Sequence, residues 1–77
     1  MLVKITQTYI DKNNRHSSRW CPVARGLRAA GCQKVMVGAD CAWIGGKQVF
    51  LPAKVKRFIH RFDTGWSVRP FKFELEV

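Results

Sequence analysis

The chain has 77 residues, 47% of them hydrophobic and 25% charged. This length predicts a single domain over residues 1–77, and the hydrophobic content is sufficient for a small core, which excludes global disorder. It carries 14 Lys and Arg against 5 Asp and Glu, and the net charge of +9 favours polyanionic partners such as nucleic acid, nucleoprotein or an acidic protein face. No apolar run approaches the roughly 20 residues of a membrane span, and no signal peptide is present, so we expect a reduced, cytoplasmic protein.

The chain begins with two short elements. Residues 1–6, MLVKIT, alternate in hydrophobicity, which predicts a strand with Val3 and Ile5 turned inward. Thr6 then suits the N-cap of a helical turn over residues 7–13.

A polar, basic segment follows at residues 11–19, DKNNRHSSR. It is dense in residues that favour turns, which predicts a loop. Such a loop either serves as a solvated connection or acts as a basic contact arm, and the sequence leaves both interpretations open.

A first longer helix is predicted from Ser18 or Cys21 to Ala30, with Gly31 at its end. Pro22 lies in the first turn, where proline is tolerated. Gly26 either weakens this helix or lets another backbone approach closely. The apolar face of the helix carries Trp20, Val23, Ala24, Leu27 and Ala30, and the outward face carries Arg19, Arg25 and Arg28.

Residues 34–51 are predicted to form three short strands. Gly45-Gly46 suits a two-residue hairpin loop that pairs Ile44 with Lys47. In that register Ala42, Ile44, Val49 and Leu51 share the face that suits the core. Trp43 and Phe50 lie on the opposite face, where their exposure would permit a homodimer.

The segment from Leu51 to Gly65 predicts a central helix, with Pro52 in its first turn and Gly65 just past its end. The apolar stripe at helical spacing consists of Val55, Phe58, Ile59 and Phe62. The remaining faces form a basic ridge of Lys54, Lys56, Arg57, His60 and Arg61.

Residues 68–77, VRPFKFELEV, predict a final strand with Pro70 near its start, at a sheet edge or beside one partner. Its inward residues are Phe71, Phe73, Leu75 and Val77. The complete pattern predicts an α+β fold: a small, mainly antiparallel sheet of four to five strands with two helices packed on one face.

The sequence offers little chemistry for an enzyme or a metal protein. It contains no Ser/His/Asp order, no G-x-S-x-G motif and no phosphate-binding glycine loop, so we expect no catalysis and no cofactor. A cysteine nucleophile near His16 or His60 is the remaining catalytic alternative. His16, Cys21, Cys32 and Cys41 are ligand types that suit zinc, but they lack paired spacing, so we expect buried free thiols and no metal.

Basic residues interleaved with aromatic ones make binding to a polyanion the strongest inference from composition. We expect Trp20 and Trp66 to belong to the core, whereas Trp43 suits the core and a stacking surface equally. The candidate binding residues are Arg25, Arg28, Trp43, Lys54, Lys56, Arg57, His60 and Arg61.

Four segments together resemble a group of small bacteriophage-encoded proteins. They are CPVA at 21–24, VMVG at 35–38, FIHRFD at 58–63 and VRPFKFEL at 68–75, and the similarity covers roughly residues 19–77. The resemblance implies a phage or prophage accessory protein in the host cytoplasm and supplies no catalytic residues. Small proteins of this kind often bind and block host machinery, including CRISPR complexes.

These observations lead to two hypotheses. In the first, a non-enzymatic phage accessory protein uses its basic ridge, with Arg25 and Arg28, to dock on an acidic face of a host nucleic-acid-handling or defence complex, as an anti-CRISPR-like inhibitor does. In the second, the same residues bind DNA or RNA directly and without sequence preference.

Overall fold

The computed structural model describes residues 1–76, and Val77, predicted to end the last strand, lies outside the described residues. The elements are β1 (Leu2–Ile5), α1 (Gln7–Asp11), α2 (Pro22–Ala29), β2 (Val35–Val37), β3 (Cys41–Ile44), β4 (Lys47–Phe50), α3 (Ala53–Asp63) and β5 (Phe71–Glu74). The α+β class and the predicted order of elements are confirmed. Within residues 1–76, no helix has both the length and the apolar content to cross a bilayer.

The strands form two antiparallel sheets, and the prediction of one sheet of four to five strands was wrong. The first sheet pairs β1 with β5, and the second has the order β2-β3-β4. At the edge of β2, the Val37 N–H donates to the carbonyl of Ser18 at 2.8 Å, so a loop occupies a position where another strand would pair. Helix α2 contacts both β1 and β2 and so connects the two sheets through the core.

The β3–β4 hairpin has the predicted register. Ile44 pairs with Lys47, and Ala42 pairs with Val49. Gly45 and Gly46 have φ values of +60° and +82°, as a two-residue loop with left-handed backbone at both positions requires. This register turns Trp43 and Phe50 outward, as predicted, and they are 41% and 74% exposed.

Helix α2 begins later than the earlier of its two predicted starts. Its N-cap is Cys21, whose Sγ accepts a hydrogen bond from the Ala24 N–H at 3.5 Å, and Ser18 lies outside the helix. Trp20 therefore precedes the helix and does not belong to its apolar face. The expectation that Trp20 is a core residue was wrong, since 53% of its surface is exposed.

Helix α3 confirms the predicted apolar stripe, because Val55, Phe58, Ile59 and Phe62 are all buried. The helix ends in a Schellman turn: the Gly65 N–H, at φ +87°, donates to the Phe62 carbonyl, and the Trp66 N–H donates to the Arg61 carbonyl. This turn leaves Trp66 68% exposed, so the expectation that it is a core residue was also wrong.

Gly26 lies where α2 crosses β1, and this close approach gives a test of the packing. A Cβ at this position would lie 2.6 Å from Ile5 Cδ1 and 2.9 Å from the Lys4 carbonyl oxygen. Gly26→Ala gains about 1 kcal/mol of helix propensity, but the clash costs about 1–3 kcal/mol. We expect urea denaturation to show a net loss of stability.

The control for this variant is Ala29→Gly, at an exposed position of the same helix. It reports the propensity effect alone, a loss of up to about 1 kcal/mol. A Gly26→Ala protein that is more stable than the wild type would contradict the close packing of α2 on β1.

Candidate polyanion-binding site

The outward face of α3 carries the predicted basic ridge. All five of its members are exposed, and they are Lys54, Lys56, Arg57, His60 and Arg61. Lys54, Arg57 and Arg61 follow one another at intervals of three and four residues, so they lie along one side of the helix. The buried stripe fixes the rotation of the helix, and that rotation directs these cations toward solvent.

Among residues 1–76, no carboxylate forms an ion pair with this ridge. Within residues 1–76, the two ion pairs join the N-terminal ammonium to Glu74 at 3.4 Å and His16 to Asp63 at 3.8 Å. Asp63 also accepts a hydrogen bond from the His16 N–H at 3.0 Å, which holds the loop after α1 against the end of α3. At His16 the loop is therefore a connection that packs against the end of α3.

A groove of about 400 Å³ runs between α3 and the segment that leads into β5. We call it the α3 groove and define it by its four cations, Lys54, Arg57, Arg61 and Arg69. Phe58 and Phe71 also line it, with ring centroids 4.8 Å apart, and Lys54 Nζ lies 5.9 Å from the Phe71 centroid. Lys56 and His60 are exposed on α3 but do not line this groove.

Arg69 lines the groove but was not predicted from the sequence. It immediately precedes Pro70, and a residue before proline is held in an extended conformation. The Arg-Pro pair therefore indicated an extended segment, which in the structure lies beside α3. Helical periodicity cannot detect such a residue, because it lies outside the helix.

Arg25 and Arg28, predicted to join the same surface, do not line the α3 groove and instead hold Trp20. Arg25 Nε donates to the Trp20 carbonyl at 2.9 Å, and Arg28 donates to the Arg19 carbonyl. Their guanidinium carbons lie 5.5 Å and 4.8 Å from the Trp20 ring centroid. They form a second basic cluster, on α2, together with an exposed indole.

Beside this cluster lies a cleft of about 500 Å³, which we call the Trp20 cleft. Its lining residues are Arg19, Trp20, Arg28, Lys34, Val35 and Met36. Trp43, the aromatic candidate for binding, pairs with Met36 on the adjacent strand. Its ring lies against Gly38, since a Cβ on that glycine would lie 3.4 Å from the indole.

A smaller cavity of about 230 Å³ lies between α2 and α3 and has His16, Cys21 and Asp63 among its lining residues. Burial raises the pKa of the Cys21 thiol, and the Asp63 carboxylate adds to this effect, outweighing two backbone N–H hydrogen bonds that lower it. A thiol held protonated is a weak nucleophile, so this arrangement favours packing over catalysis. In the described part of the chain, no three His, Cys, Asp or Glu side chains are grouped to hold a metal ion.

Comparison of the chain with family models, curated proteins and solved structures finds no match. The resemblance to small bacteriophage proteins therefore stays a prediction from its four sequence motifs.

The raised pKa of Cys21 predicts how stability depends on pH. In the unfolded chain the thiol ionises near pH 8.5, while the folded protein still holds it protonated. The free energy of unfolding should therefore be undiminished below about pH 8 and should fall as the pH rises through the unfolded and then the folded pKa.

Urea denaturation of the wild type and of Cys21→Ser, at several pH values above neutrality, measures this effect. The serine variant lacks this titration and should lose less stability over the same range. Burial raises the pKa of Cys32 as well, so a smaller decline remains in the variant. Equal declines in the two proteins would show that Cys21 does not contribute.

Proposed function

We propose that this protein is a non-enzymatic inhibitor that docks its α3 groove on an acidic surface of a nucleic-acid-handling or defence complex of the host and blocks it. The observation that carries the proposal is the exposure of the groove's cations without a carboxylate partner in the described residues. An inhibitor that acts by covering a surface of its partner needs no catalytic residue of its own.

The composition of the groove supports a polyanionic partner. Three of its four cations are arginines, which form bidentate hydrogen bonds with carboxylates and phosphates. In the free protein these cations repel one another, and an anionic partner reduces that repulsion when it binds. The two phenylalanine rings provide apolar contact area beside the charges.

The resemblance to bacteriophage accessory proteins supports the more specific form of the proposal. Phage proteins of this size often act by blocking host machinery, and an anti-CRISPR-like inhibitor is the concrete case. Its target would be a host protein or nucleoprotein with an acidic face, in the cytoplasm of the host cell.

A second candidate function is direct, sequence-independent binding of DNA or RNA. The specific observation in its favour is the exposure of the tryptophans Trp20, Trp43 and Trp66, since exposed aromatic rings stack on bases. In this case the groove would contact the phosphate backbone, and no partner protein would be required.

Charge reversal in the groove tests both functions. We expect Arg57→Glu/Arg61→Glu to weaken binding to the protein's anionic partner by at least about tenfold, because two attractive contacts become repulsive. Fluorescence anisotropy with a short DNA duplex and with a single strand of the same length, at about 50 and 200 mM salt, measures direct binding of nucleic acid. Affinity capture from nuclease-treated host lysate measures the docking of a protein.

The matched control is Lys12→Glu/Lys47→Glu, which changes the net charge equally at exposed positions outside the groove. Binding of free DNA near physiological salt supports the second function. Capture of a host complex without DNA binding supports the first. If the groove variant and the control behave alike in both assays, the α3 groove is not the binding site.

A further inference from the structure

We infer that the Trp20 cleft is a second binding site, which stacks one unpaired base of a single-stranded nucleic acid on the Trp20 indole. The adjoining phosphate would contact Arg19 and Lys34. This site uses side chains other than those of the α3 groove, so it can be tested separately from the proposed inhibitory function.

The backbone of Trp20 is held by two hydrogen bonds, and about half of the residue is exposed. The backbone N–H of Trp20 donates to Ser17 Oγ at 3.0 Å, and its backbone carbonyl accepts from Arg25 Nε at 2.9 Å. A second bond from Arg25, to Asn14 Oδ1 at 3.0 Å, ties this arginine to the preceding loop. A residue whose backbone is held in advance loses less conformational freedom when a ligand stacks on its side chain.

Two guanidinium groups lie close to the ring, and no carboxylate of the described residues pairs with them. Arg25 and Arg28 lie within cation–π distance of the indole, and their hydrogen bonds go to carbonyl and amide oxygens. Neither takes part in an ion pair among residues 1–76. The positive potential around the ring is therefore available to a phosphate.

The rest of the cleft fits a nucleotide. Met36 supplies an apolar wall, whereas Arg19 and Lys34 are exposed cations, and no acidic residue is among the lining residues. Lys34 has a φ of +53°, a left-handed conformation that lysine rarely adopts and that often accompanies functional sites.

The combination of charge and exposed indole favours a nucleotide over an acidic peptide. Carboxylates alone would pair with the cations and leave the ring unused, whereas a nucleotide offers both a phosphate and a planar base. The base must be unpaired, because in a duplex its faces are already stacked on neighbouring bases. Stacking on an aromatic side chain is tolerant of base identity, so we expect little sequence preference.

The first experiment follows Trp20 directly. Trp43→Phe/Trp66→Phe leaves Trp20 as the single tryptophan of the full chain. We titrate this protein with oligothymidylate and with an abasic deoxyribose-phosphate oligomer of the same length. We expect oligothymidylate to quench the fluorescence and to bind about tenfold more tightly, and the abasic oligomer to produce little quenching.

The second experiment removes the ring. Trp20→Leu should weaken the binding of oligothymidylate about tenfold and leave the abasic oligomer unaffected, while Phe50→Leu, at an exposed aromatic residue outside the cleft and the groove, should change neither. Arg57→Glu/Arg61→Glu should either weaken both oligomers equally or affect neither, which separates the α3 groove from this site. Circular dichroism verifies folding, and if Trp20→Leu unfolds, the quenching experiment decides alone.

Three results would overturn the inference. They are equal affinity of the wild type for the two oligomers, wild-type binding of oligothymidylate by a folded Trp20→Leu, and Trp20-dependent binding of a polyglutamate peptide of matched charge. The last result would assign the cleft to an acidic protein segment.

Discussion

The burial of one stripe of α3 is the interaction on which the rest of the structure depends. Phe58 contacts both Phe62 and Phe71, with centroids 6.0 and 4.8 Å away, so the helix is joined to β5 through aromatic packing. Each such buried side chain contributes about 1.5–3 kcal/mol, whereas repulsion between neighbouring surface cations of a helix costs about 0.2–0.5 kcal/mol. Packing therefore decides how the helix is rotated, and the basic residues must share the exposed side.

Local signals were sufficient for the elements but not for their assembly. Gly45-Gly46 determined the hairpin register, and Gly31 and Gly65 marked the helix ends, since each of these features depends on backbone conformation within a few residues. The division into two sheets depends on contacts between distant segments. Sequence periodicity does not indicate the hydrogen bond from Val37 to Ser18 or the pairing of Val3 with Phe73. The prediction of a single sheet was wrong for this reason.

The same limit explains which site residues could be predicted. Periodicity correctly assigned the exposed cations of α3, because every residue within a helix has a defined face. Trp20 and Trp66 lie just outside helices, where a shift of a helix end by a few residues changes the environment of a side chain completely, and Arg69 lies in the segment between α3 and β5. Trp20 stands directly before the Cys21 N-cap, and Trp66 directly after the Gly65 turn. Their exposure followed from capping geometry and not from hydrophobicity.

The placement of the acids shows why the positive field survives folding. Asp63, the one carboxylate of α3, is turned to the loop by its bond from the His16 N–H, and Arg15 Nε strengthens this attachment by donating to the Phe62 carbonyl at 3.0 Å. Glu74 pairs with the N-terminus, and Asp11 accepts from Gln7 within α1. These acids stabilise connections and chain ends, so their contacts bring no carboxylate to the α3 groove. A groove with four cations retains a potential that attracts anions from a distance of about one Debye length.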